Sequence, residues 1–263
     1  MSRPRLLFVP WVGELEWSGI EPQVSEWADV VVYDPPGVGE EPLPEAADMH
    51  AGQDPGEADR AFERWRQATA ELGLAAAGER GWKDYVVVGD SLALGAAVRA
   101  AKSAPDRARG LALGHASLAN TFEGDRPTVS KAVWDTMESL IHTDHQAFIG
   151  YGISQMTQGA VDDALATAWL ERIPDPTLVT GIWEAIGRQP EPLEQLLREL
   201  GLPLLLAVHR GCLLKTEQGF EDAVAAFPDA RTVSCPEACA ASPAFAEALR
   251  EFCAELGRER SWG

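Results

Sequence analysis

Ser91 sits where two contrasting stretches meet. Val86-Val87-Val88-Gly89 is a β-branched run closed by glycine, and Leu92-Ala93-Leu94-Gly95-Ala96-Ala97-Val98 is an Ala- and Leu-rich run suited to a helix. The spacing predicts a strand, a sharp turn carrying Asp90 and Ser91, and then a helix. A hydroxyl on such a turn is placed as a nucleophile would be, and the Leu92 amide at the helix start can face negative charge developing beside it. Gly89, Ala93 and Gly95 are small enough for strand and helix to approach closely. Two histidines close later apolar runs: His115 ends Arg109–His115, and His209 ends Leu202–His209. Cys212, Cys235, Cys239 and Cys253 all fall in the last quarter of the chain.

Gly89-Asp90-Ser91-Leu92-Ala93 resembles the G-x-S-x-G nucleophile elbow of the α/β-hydrolases, with alanine in the last glycine position. Strands and helices recur on both sides of it in that family's order. The resemblance implies a mostly parallel sheet of about six strands, helices on both faces and a helical cap inserted between strands. It also implies that the Val12 amide completes an oxyanion hole in the loop Pro10-Trp11-Val12-Gly13, where Pro10 and Trp11 replace the family's His-Gly. Asp34-Pro35-Pro36-Gly37-Val38-Gly39 resembles the family's D-x-x-G-x-G turn, whose role is structural.

The same resemblance puts the catalytic acid at Cys212, after the strand before the last, and the base at Ala238 or Cys239, after the last strand. Neither acid nor histidine stands there, and His209 is the final histidine of the chain. A serine hydroxyl without a base is a weak nucleophile, so Ser-His-Asp hydrolysis of the usual kind is not expected. Three readings follow. In the first, the fold serves a non-hydrolytic reaction on a bulky hydrophobic metabolite: cyclisation, elimination, isomerisation, C–C bond formation or cofactor-free oxygen chemistry. His115 is then the best proton acceptor, because its strand adjoins the elbow strand and ends on the same edge, with His209 second. Asp90 can assist it, although a residue at that elbow position usually packs beneath the turn. In the second, an ester or thioester is cleaved by a rearranged Ser91–His115 pair, although nothing obvious orients His115. In the third, the protein is a catalytically inactive ligand- or partner-binding homologue, with Cys212 and Cys239 as small apolar residues. Apart from Arg210, no cation near either cysteine in the sequence marks a reactive thiol.

The elements that must position these residues are legible by period. Leu6–Val9, Asp29–Tyr33, Tyr85–Gly89, Arg109–His115, Leu202–His209 and Thr232–Cys235 read as strands, and 57–74, 193–200, 217–226 and 243–256 as helices. Between about 117 and 189 the alternation breaks into four helical patterns, near 129–141, 144–156, 161–173 and 176–186. The expected organisation is a core of 1–116 and 190–263 with a helical cap of 117–189. Trp134, Phe148, Tyr151, Trp169 and Trp183 make the cap aromatic, and a small hydrophobic or aromatic molecule is the expected ligand, although most of these rings at helical spacing hold the cap helices together. His142-Thr143-Asp144-His145 reads as a polar turn with Asp144 as an N-cap.

With 263 residues and 46% hydrophobic content the chain can bury a full core. A formal charge of −19 repels nucleic acid and anionic membrane surfaces. No apolar run approaches the roughly 20 residues of a membrane span, and the chain runs from Met1 straight into a strand, so a cytoplasmic location is expected. No cofactor is implied. No metal site is expected at Cys235-x3-Cys239, because no histidine and no second cysteine pair follow it. The oligomeric state is not legible.

Overall fold

A computed structural model describes all residues except 1–2, 50–53, 117–126, 157–162, 174, 189–192, 260–261 and 263. Its centre is one six-stranded sheet: β1 (Arg5–Val9), β2 (Asp29–Val31), β3 (Tyr85–Asp90), β4 (Ala108–Gly114), β5 (Leu204–His209) and β6 (Arg231–Cys235). The order is β2-β1-β3-β4-β5-β6 and every pairing is parallel. β3 is buried along its whole length, as the uninterrupted apolar run requires of a strand covered on both faces.

Alternate side chains feed two separate cores. Leu7, Val9, Val87, Leu111, Leu113 and Leu206 enter one, and Leu6, Phe8, Val86, Val88, Ala112 and Leu205 the other. The first lies under α3 (Pro55–Glu79) and α4 (Leu94–Ser103), the second under α2 (Glu21–Ser25) and α11 (Pro243–Glu259). The remaining helices are α1 (Glu14–Trp17), α5 (Lys131–Ile141), α6 (His145–Met156), α7 (Asp163–Arg172), α8 (Pro176–Arg188), α9 (Leu193–Leu200) and α10 (Glu217–Ala226). α3 outruns the expected 57–74 at both ends. Its start is fixed by Asp54, whose carboxylate accepts from the Gly56 and Glu57 amides ahead of Pro55, and Ala75-Ala76-Ala77 carry it onward.

Between β4 and β5 stand α5 to α9, of which α5 to α8 fall in the expected cap. Asp144 accepts from the Ala147 amide at 3.0 Å and so caps α6. Trp134 and Trp183 stack at 4.0 Å, Phe148 meets Trp183 edge-on at 5.3 Å, and the Trp183 indole donates to Glu138. Arg172 at the end of α7 ties these helices to the core: its guanidinium binds Asp34, and its carbonyl accepts from the Gly39 amide at 2.7 Å. Gly39 has φ +61, a conformation costly for other residues, and a Cβ there would meet Asp34. No helix among the described residues is long and apolar enough to cross a membrane.

Candidate functional site

β3 and β4 are neighbours, so the residues that leave their carboxyl ends are neighbours too. Asp90 is in register with Gly114, and the next residue on each strand is Ser91 or His115. Both have φ +46, and among the described residues no other non-glycine residue has positive φ. Each costs about 1–3 kcal/mol, so the surrounding packing over-determines both turns. Gly89 permits the first: a Cβ on it would come within 2.5 Å of the Ala97 methyl of α4. Gly114 permits the second, since a Cβ there would sit 2.4 Å from Asp90 Oδ1 and 2.9 Å from the Cys239 Cβ.

In the space that Gly114 leaves, Asp90 Oδ1 lies 2.7 Å from His115 Nδ1, with both residues 4% exposed. The carboxylate therefore orients the imidazole, a partner that the sequence did not reveal. His115 Nε2 is left without a hydrogen-bond partner, as are both ring nitrogens of His209, which meets His115 edge-on at 5.5 Å. Cys212 follows β5 and is 7% exposed. One donor atom each from His115, His209 and Cys212 lies within 4.8 Å of the others. Cys239, fully buried, forms a second such group with Asp90 and His115.

These contacts shift the charges. Burial alone pushes the Cys212 thiol up, but the imidazoles of His115 and His209 outweigh it and bring it down to about 5. The Lys215 amide adds to the effect. Burial pulls His115 down, yet the Asp90 carboxylate prevails and its pKa stands well above the ordinary value. Both shifts favour a thiolate beside an imidazolium. This differs from the small apolar Cys212 of the third reading: His209 lies three residues before it, but His115, the charged partner, comes from β4, distant in sequence. Cys239 is held protonated by its hydrogen bond with Cys235 and by burial. Burial brings Lys215 down to about 8.

The elbow is less equipped. Ser91 makes no hydrogen bond to a histidine among the described residues. The expected oxyanion donor is engaged: Glu16 Oε2 accepts from the Trp11 amide at 2.6 Å and from the Val12 amide at 3.4 Å. Glu16 is the third residue of α1 and reaches back over the helix start, as a capping glutamate does. It is 8% exposed, Oε1 has no partner, and burial together with the nearby Asp90 charge raises its pKa well above the carboxylate range. In the sequence Glu16 carries one signal, its place three residues after Gly13.

Two cavities divide the remaining residues. Ser91, Leu92 and Trp11 floor an apolar one roofed by Phe148, Trp169 and Trp183, with a volume of about 50 Å3. Trp134, one of the aromatic residues of the expected cap, is outside this lining, stacked on Trp183. His115, His209 and Cys212 line the second, polar cavity with Lys215, Thr216 and Glu217. The loop after β5 serves both, placing Cys212 in the polar cavity and Leu214 in the apolar one.

No family model and no curated protein matches this chain. Solved structures do. A hydrolase from Oleispira antarctica has a TM-score of 0.73 at 13% identity, covering 97% of this chain and 92% of that one. The 2-hydroxy-6-oxo-6-phenylhexa-2,4-dienoate hydrolase from Rhodococcus sp. strain RHA1 has 0.73 at 16%, covering 97% and 91%. A bromoperoxidase from Bacillus anthracis has 0.68 at 16%, covering 97% and 91%. The chain has the α/β-hydrolase fold, and at these identities the likeness is one of fold alone.

Proposed function

We propose that the protein is an enzyme that uses this fold for a non-hydrolytic proton-transfer reaction, such as an isomerisation or elimination, on a small hydrophobic molecule. The observation that carries the reading is the buried line Asp90, His115, Cys212. The Cys212 thiolate takes a proton from the substrate, and the His115 imidazolium, held by Asp90, returns one at another atom. The expected role of His115 is thereby reversed, from acceptor to donor. Supporting this, Ser91 has no hydrogen-bonded base among the described residues, and the Val12 amide that would stabilise an oxyanion is bound to Glu16. The apolar cavity suits the body of the substrate and the polar cavity its reacting end.

The test is paired labelling read by intact mass. A fluorophosphonate serine probe is expected to leave Ser91 unmodified, while iodoacetamide at neutral pH alkylates Cys212, with loss of the adduct in Cys212→Ser. Rapid fluorophosphonate modification that disappears in Ser91→Ala would overturn the reading in favour of the Ser91–His115 esterase. Inertness of both residues would favour a ligand-binding protein.

A further inference from the structure

His115, His209 and Cys212 converge from the ends of β4 and β5, and each is more than nine-tenths buried. Their donor atoms lie within 4.8 Å of one another. Three imidazole nitrogens there, His115 Nε2 and both of His209, lack a hydrogen-bond partner. Buried polar atoms are rarely left so, and those that are point to a group that completes them. The Asp90 contact fixes the His115 tautomer and leaves Nε2 as the outward atom, which is how a carboxylate orients a metal-ligating histidine.

We infer that His115, His209 and Cys212 form a binding site for one divalent transition-metal ion of borderline softness, of the Zn2+ class. Two imidazoles and a thiolate suit such an ion and not Mg2+ or Ca2+, which take oxygen ligands. A tetrahedral ion needs donor separations of roughly 3.3–3.8 Å, within reach of side-chain rotation from the present arrangement. Three protein ligands leave a fourth position facing the cavity beside Lys215, Thr216 and Glu217. The second group, Asp90, His115 and Cys239, is already satisfied by the Asp90–His115 bond and by the Cys235 partner of Cys239. The inference goes beyond the proton-transfer reading and stands on the donor set alone. Coordination occupies His115 Nε2 and Cys212 Sγ, the same atoms that the proton-transfer reading uses.

The test uses the full chain, stripped with a chelator and titrated with Co2+ and then with Zn2+ against a chromophoric competitor. The expected result is one equivalent bound, with tetrahedral Co2+ d–d bands and a thiolate-to-cobalt charge-transfer band. That band vanishes in Cys212→Ser and persists in Cys239→Ser, and His209→Gln weakens binding by at least about 10-fold. Absence of stoichiometric binding, a Co2+ spectrum without the thiolate band, or a band that survives Cys212→Ser overturns the inference. The wild-type spectrum decides even if a variant fails to fold. A chain that binds no metal while Cys212 is alkylated at neutral pH refutes this inference and leaves the proton-transfer reading standing; metal binding by a chain whose stripped form has an inert Cys212 does the reverse.

Discussion

Asp90 Oδ1 and His115 Nδ1 lie 2.7 Å apart although 25 residues separate them in the chain. The contact follows from parallel pairing: Asp90 is in register with Gly114, and the left-handed turn at His115 swings its ring back over the glycine. The polarised state of Cys212 depends on it.

Asp90→Asn tests that dependence. Metal-free wild type is expected to show Cys212 alkylation by iodoacetamide with a midpoint at about pH 5, level across roughly pH 6 to 8. Removing the Asp90 charge destabilises the imidazolium, so the thiolate loses its counter-ion and the midpoint moves up toward the ordinary thiol value of roughly 8.5. Cys253, pushed up to about 12 by burial, serves as the unreactive control. An unshifted midpoint in the variant would show that Asp90 does not set the charge of the pair.

Glu16 predicts a pH-dependent stability. Its folded pKa lies above the unfolded one of roughly 4.3, so its contribution is complete below that value and is lost as pH rises through the folded pKa. Glu16→Gln stays neutral and keeps an oxygen for the Trp11 amide. Urea midpoints of the two proteins should therefore coincide near about pH 4 and separate toward about pH 8, the variant becoming the more stable. Parallel curves across that range would refute the buried-acid account.

Ser91→Gly removes the penalty of a positive φ at a non-glycine residue. The strain at stake is about 1–3 kcal/mol, and the extra freedom of glycine in the unfolded chain returns up to about 1 kcal/mol of it. The expected outcome in thermal unfolding is a melting temperature equal to or above that of the wild type. A clear fall in melting temperature would mean that the hydroxyl makes a stabilising contact.

Trp183→Ala opens the aromatic cluster formed with Trp134 and Phe148. Loss of a buried tryptophan costs about 3–5 kcal/mol, and the cap helices bear it. Limited proteolysis should then cut within α5 to α8 well before the sheet, whereas uniform digestion would show that cap and core unfold together.

The six strands, the turn at Ser91 and the helices α5 to α9 between β4 and β5 were legible in the sequence, because hydrophobic period and small residues such as Gly89 act over a few positions. That no histidine follows His209 was legible for a simpler reason: a residue type that is absent cannot be supplied by folding. What the sequence could not carry was the pairing of groups across the sheet. Asp90 meets His115, and His115 meets His209 and Cys212, only because β3, β4 and β5 lie side by side with their carboxyl ends on one edge. Glu16 reaches the Trp11 and Val12 amides only because α1 turns back on its own loop. The charge of Cys212 and the occupied amide of Val12 are set by distances of a few ångströms between buried groups, where electrostatic energies are large, and those distances exist only once the sheet has closed.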